Sequence, residues 1–178
     1  MIDLIQANNG TMTLDDLAAY QAIPRNVTTT TYRNLTLHGM GSPAGGAVAL
    51  SILKTMEQFP AADARADPPL SIHRFDEAMR FAYGARLELG DPDFVEGVGA
   101  MEAGMLDERK AAEIRRRILD DRTQPVEEYL PKKVYAAENH GTSHMATADD
   151  SGMATSLTTT VNLLFGALIM DPHSGVIM

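Results

Sequence analysis

The stretch that most constrains the fold lies near the end of the 178-residue chain. Gly141-Thr142-Ser143-His144-Met145-Ala146-Thr147-Ala148 is followed by Asp149-Asp150-Ser151-Gly152 and then by Met153 to Leu164. Two hydroxyl-rich, β-favouring runs flank a turn signal at Ser151-Gly152, and this spacing predicts a β-hairpin.

The upstream pattern alternates between the two periods. Thr13 with Asp16 three residues later is a capping-box arrangement, and Leu14, Leu17 and Tyr20 follow at helical spacing. Pro24 closes that segment. Residues 26–40 are β-branched and alternating, which reads as one bent strand or two short ones. Ser42 and Pro43 then fit the N-cap and first position of a helix whose stripe is Val48, Ile52, Leu53 and Met56. Gly45 and Gly46 permit either a ligand's approach or tight packing. Residues 59–70 read as a loop. A helix is expected over 71–89, with Ile72, Phe75, Met79, Ala82 and Tyr83 inward, and another over 106–119, with Ile114 and Ile118 inward. Residues 120–133 carry two prolines and read as an exposed connection. The chain is thus helix-rich first and sheet last, an α+β mixture.

Composition removes several functions. Formal net charge is −9, and the one basic cluster, Arg115-Arg116-Arg117, reads as the solvated face of an acid-rich helix, so no nucleic-acid partner is expected. The absence of cysteine excludes disulfides and thiolate chemistry. No apolar run approaches the ~20 residues that span a bilayer. The N-terminus lacks the basic and apolar regions of a signal peptide and reads like the middle of a domain, so a partial chain is expected. Three N-x-[ST] tripeptides, at Asn9, Asn26 and Asn34, are candidate glycosylation acceptors and point towards the secretory route.

The hairpin also carries the candidate chemistry. A threonine hydroxyl needs a base within reach, and a threonine that begins a chain can use its own α-amine, whose pKa of about 7.7–8 suits the task. That requires scission of the preceding peptide bond. Gly141 before Thr142 suits scission, because glycine lets the hydroxyl bend back onto the preceding carbonyl at little steric cost. Read alone, Gly-Thr-Ser-His is also an ordinary loop, and Thr158-Thr159-Thr160 an ordinary strand. A metal site at His140 and His144 is disfavoured: Gly141 lies between them and no acid follows in a ligand pattern. His38, His73 and His173 are scattered and read as surface or satisfied core groups.

The joint pattern resembles the processing site of the γ-glutamyltranspeptidases (γ-glutamyltransferases, glutathione hydrolases). The matching elements are Thr142-Ser143-His144, Asp149-Asp150-Ser151-Gly152, Thr160-Val161-Asn162, Phe165-Gly166 and residues 174–178. Upstream, residues 12–20, 42–59 and 73–95 resemble large-subunit motifs, so the likeness covers essentially the whole chain.

The resemblance implies a N-terminal-nucleophile hydrolase αββα sandwich, present here in part. Residues 1–141 would be the C-terminal part of the large subunit and 142–178 the N-terminal part of the small one, together one incomplete domain. Gly141-Thr142 would be the autocatalytic cleavage site. Thr142 would be the nucleophile, Thr160 would hold it in position, and Asn162 would contact the α-carboxylate side of the substrate. Implied substrates are glutathione and related γ-glutamyl compounds. Acceptors are water, an amino acid or a dipeptide, and no metal or cofactor is implied. Partners are the remaining large- and small-subunit segments.

Family enzymes are much longer. Their carboxylate-binding arginine lies upstream of the matched region, and their amine-binding acids and oxyanion-hole glycines lie beyond its end. One oxyanion-hole donor alone is worth ~10² to 10³ in rate. This segment by itself is therefore expected to lack useful transpeptidase activity, and its hairpin to lack flanking strands. The alternatives are a non-catalytic truncated homologue or gene fragment, and an acylase of the same fold acting on other amides. The resemblance implies an extracellular, membrane-anchored or vacuolar location.

Overall fold

The computed structural model describes residues 1–130 and 141–178. One compact unit holds residues 24–130; the other holds 1–23 and 141–178.

The larger unit begins with a hairpin, β1 (Val27–Tyr32) paired antiparallel to β2 (Leu35–Met40). The 26–40 stretch is thus two short strands. They are joined by Arg33-Asn34, both with left-handed backbone (φ 46° and 67°), as a tight two-residue connection requires. Helix α3 (Gly46–Glu57) packs on this hairpin and on α5 (Pro68–Arg86). Gly46 permits that approach: a Cβ there would collide with the Met40 carbonyl oxygen, so packing explains the glycine. Ser42 is not the cap of α3. Gly45 is, and Ser42 is buried, donating its N–H (2.6 Å) and hydroxyl (2.8 Å) to Glu102.

The expected loop over 59–70 contains a short helix, α4 (Asp63–Ala66), and the start of α5, which begins three residues earlier than the periodicity indicates because Asp67 caps the Leu70 N–H. Helix α6 (Val98–Met105), which the sequence did not reveal, precedes α7 (Glu108–Arg117). The core is Val48, Ile52, Met56, Phe59, Ala78, Phe81, Ala82, Ile118 and Tyr129. Ile114 packs against it as expected.

The inward face of α5 is the expected one only in part: Ala82 is in the core and Met79 packs against it. Ile72 and Tyr83 are 70% and 51% exposed, and Phe75 is exposed, whereas Arg74 and Glu77 are buried. Both charges have partners distant in sequence. Arg74 forms a fork with both Asp120 oxygens (2.8 and 2.7 Å), bonds Asp63 (2.7 Å), and lies over the Phe59 ring. Glu77 receives the Tyr129 hydroxyl at 2.8 and 2.9 Å. The 120–130 segment is correspondingly not an exposed connection throughout. A single 3₁₀ turn, Val126–Glu128, delivers Tyr129 into the core, edge-on to Phe81 at 4.9 Å. Gly84 allows the Tyr129 backbone to lie directly on α5.

The smaller unit contains α1 (Ile2–Ala7), α2 (Leu14–Ala19) and the hairpin β3 (Ser143–Ala148) and β4 (Ala154–Thr159). The Thr13–Asp16 capping box forms as expected. The hairpin is antiparallel with Ser143 opposite Thr159 and Ala148 opposite Ala154, and every residue of both strands is exposed.

Candidate functional site

The hairpin turn sets the geometry at its open end. Asp149 accepts the N–H (2.9 Å) and hydroxyl (2.6 Å) of Ser151 and the N–H of Met153 (3.0 Å), while Gly152 takes a left-handed φ of 84°. The Ser151 hydroxyl, with the Met153 N–H, holds the Asp149 carboxyl below the ordinary carboxylate range. From the turn the strands pair in one register as far as Ser143–Thr159. One further step along that register sets Thr142 opposite Thr160. Side chains alternate along a strand, so Thr142, His144, Ser156, Thr158 and Thr160 belong to one face.

Four hydrogen bonds define this face. The Thr160 hydroxyl donates to the carbonyl oxygen of Gly141 at 3.4 Å. The same Thr160 oxygen accepts the N–H of Asn162 at 2.8 Å. His144 spans the strands, its Nδ1 2.8 Å from the Thr158 hydroxyl and its Nε2 3.3 Å from that of Ser156. Asn162 holds a left-handed φ of 69°, turning the chain out of the strand direction after Thr160. The expected strand to Leu164 accordingly ends at Thr159.

A cavity of about 390 Å³ opens beside these groups, lined by Gly141–Ser143 on one side and by Thr160, Val161 and Leu163–Phe165 on the other. Its size suits a small ligand. Thr142 and Thr160 both line it; Asn162 does not. Gly166 closes the following turn at φ 56°, where a Cβ would strike the Met178 carbonyl oxygen.

The structure thus brings Gly141, Thr142 and Thr160 together around one peptide bond, with Asn162 joined to them through its backbone. Both His144 nitrogens face hydroxyls, and His140 lies outside the described residues. Among the described residues no three His, Cys, Asp or Glu side chains converge as a metal site. The candidate glycosylation residues Asn9, Asn26 and Asn34 are all exposed. The His144 bridge escaped the sequence reading. Its signal was hydroxyls at alternate positions, 156 and 158, facing a histidine across the hairpin. A second cavity of similar volume, beside Arg25 and Glu102, has its charges already paired: Arg25 with Asp91 and Asp93, Glu102 with Ser42.

Known proteins are similar to this chain in sequence and in fold. The family model for gamma-glutamyltranspeptidase matches residues 1–178. The chain is 44% identical over its whole length to a glutathione hydrolase proenzyme of Arthroderma benhamiae, of which it covers 30%. Among solved structures it is similar to Helicobacter pylori gamma-glutamyltranspeptidase, with TM-score 0.64 and 28% identity over 77% of this chain and 41% of that one. It is also similar to a cephalosporin acylase from Bacillus halodurans, with TM-score 0.73 over 99% of this chain and 31% of that one. At 20% identity the latter likeness speaks to fold alone. The fold is the N-terminal-nucleophile hydrolase sandwich, of which this chain holds a part, and the chain spans 30% of the length of the curated relative. With the full-length match and the shared fold added to the threonine-flanked Gly141-Thr142 bond, the chain belongs to the gamma-glutamyltranspeptidase family.

Proposed function

We propose that this chain is the junction segment of a γ-glutamyltransferase or glutathione hydrolase whose precursor cuts itself between Gly141 and Thr142. Residues 1–141 belong to the large subunit and 142–178 to the small one, and the remaining segments of both complete the site. The observation that carries this reading is the Thr160 hydroxyl aimed at the Gly141 carbonyl, the carbonyl of the bond to be cut. A donor at that oxygen polarises the peptide and stabilises the negative charge that builds on it during attack.

The chemistry balances. The Thr142 hydroxyl adds to the Gly141 carbonyl carbon, the C–N bond breaks, and an ester replaces the amide. Water hydrolyses the ester, leaving Gly141 with a carboxylate and Thr142 with a free hydroxyl and α-amine. That amine then takes the hydroxyl proton as Thr142 attacks the γ-carbonyl of glutathione. Cysteinylglycine leaves with a proton, and the γ-glutamyl group remains as an ester on Thr142. Water, an amino acid or a dipeptide accepts it. Thr160 holds the nucleophile, and Asn162 contacts the α-carboxylate side of the glutamyl group. The name proenzyme borne by the Arthroderma relative agrees with a processed precursor. The exposed Asn9, Asn26 and Asn34 support an extracellular, membrane-anchored or vacuolar location.

The test is to trap the ester. The protein carrying its complete large and small subunits is incubated with glutathione, quenched in acid and digested. The peptide beginning at Thr142 is expected to gain one glutamyl unit, and Thr142→Ala to gain none. Turnover of glutathione without that adduct in the parent, or with undiminished rate in Thr142→Ala, overturns the assignment.

A further inference from the structure

The run Thr158-Thr159-Thr160 poses a selection problem for β4. Sliding β4 by two residues keeps each side chain on its face and brings Thr158 to where Thr160 stands; sliding by one flips the faces and presents Thr159. Within this chain burial does not choose among these, because both strands are exposed on both faces here. The Asp149 turn pins the far end of the hairpin. Near the Gly141-Thr142 bond, the cross-strand side-chain contacts that distinguish the registers are those of His144.

In the observed register His144 stands directly opposite Thr158, with Ser156 on the diagonal. A neutral imidazole has one donor and one acceptor nitrogen, and a hydroxyl can serve either, so the bridge is complete in both tautomers. The slip that substitutes Thr158 for Thr160 would set His144 against Ser156 and Ala154, leaving one hydroxyl instead of two. A one-residue slip of the same sense would set it against Leu157. Resting on the scission site proposed above, we propose that His144 is a positioning residue: its bridge to Thr158 and Ser156 locks the register so that Thr160, rather than Thr158 or Thr159, meets the Gly141 carbonyl.

The chain has no cysteine, so introduced pairs report the register cleanly. Met145→Cys with Leu157→Cys joins residues opposite one another now; Met145→Cys with Thr155→Cys joins residues opposite only after the two-residue slip. A disulfide needs Cα atoms roughly 4.4–6.8 Å apart, which directly opposed strand residues meet and diagonal ones exceed. Both pairs are oxidised under identical conditions and the crosslinked fraction read by intact mass, alongside scission in the cysteine-free chain. With His144 present, the first pair is expected to crosslink about tenfold more than the second. His144→Leu should lower that ratio about fivefold and slow scission about tenfold, while His144→Asn, which keeps a polar atom facing Thr158, recovers most of both. A ratio unchanged in His144→Leu overturns the lock, whatever happens to scission. A ratio that shifts as expected in a chain that never cuts itself supports the lock and overturns the proposed scission.

Discussion

The larger unit and the β3–β4 hairpin solve opposite problems. In residues 24–130, α3, α5 and α7 enclose Phe81, Ile52 and Ile118, and even the buried charges Arg74 and Glu77 have partners. In residues 143–159 every side chain is exposed within this segment, and the order the segment itself supplies comes from a turn, a register and a bridging histidine. One region is held by burial and carries none of the candidate chemistry. The other carries the candidate chemistry and is held by hydrogen bonds. Substitutions should therefore cost stability in the first and change reactivity in the second.

The sharpest way to break this contrast is at the centre of the core. Phe81→Ala removes a buried ring packed edge-on to Tyr129 and is expected to cost roughly 3–5 kcal/mol in urea unfolding. Tyr129→Phe should follow, at about 1–3 kcal/mol, because Glu77 is fully buried and loses its hydroxyl donor, keeping Arg80 Nε at 3.7 Å. Adding Glu77→Leu should recover part of that loss; a fully additive double variant would show that the two groups are not coupled. The same tyrosine bears on alkaline stability. Burial first, and the Glu77 bond next, raise its phenol above the ordinary tyrosine range. Its contribution is complete below the unfolded tyrosine pKa and is lost as pH rises through the higher folded value.

Smaller effects test the rim. The Arg74 fork holds the Asp120 carboxyl below the ordinary range. A depressed carboxyl contributes stability above its unfolded pKa and loses it as pH falls through the folded one, so Asp120→Asn should flatten the acid limb of the stability curve. With Asp120 half-exposed, the loss at neutral pH is about 1 kcal/mol at most. Smallest of all, Leu157→Ala in the hairpin should change stability by less than about 0.5 kcal/mol, since half of that side chain is in water. A cost comparable to Phe81→Ala would abolish the distinction between the regions.

The same contrast explains what could be read beforehand. The hairpin and its turn were legible because alternation and turn residues are local signals, whereas the Gly141–Thr142–Thr160 constellation was legible only through the family resemblance, since each residue read alone was an ordinary loop or strand residue. The Thr13 capping box, also a local signal, was legible too. The face of α5 was legible only in part, at Met79 and Ala82. Apolar periodicity placed Ile72, Phe75 and Tyr83 inward, but Arg74 and Glu77 are buried instead, Arg74 paired with Asp63 and Asp120 and Glu77 hydrogen-bonded by the Tyr129 hydroxyl. Tyr129 itself was hidden in a proline-flanked polar run, and α6 in a stretch holding Gly97, Gly99 and Gly104, whose intrinsic helix propensity is poor. The His144 bridge joins residues 14 and 12 positions apart and emerges only once the register is known.

The central claim is that the bond before Thr142 breaks by the action of Thr142 itself, and intact mass with N-terminal sequencing tests it directly. Release of the 37 residues that follow position 141, beginning Thr142-Ser143-His144, is expected, with no release in Thr142→Ala and slower release in Thr142→Ser. One uncut mass in the parent, or equal cutting in Thr142→Ala, would contradict it.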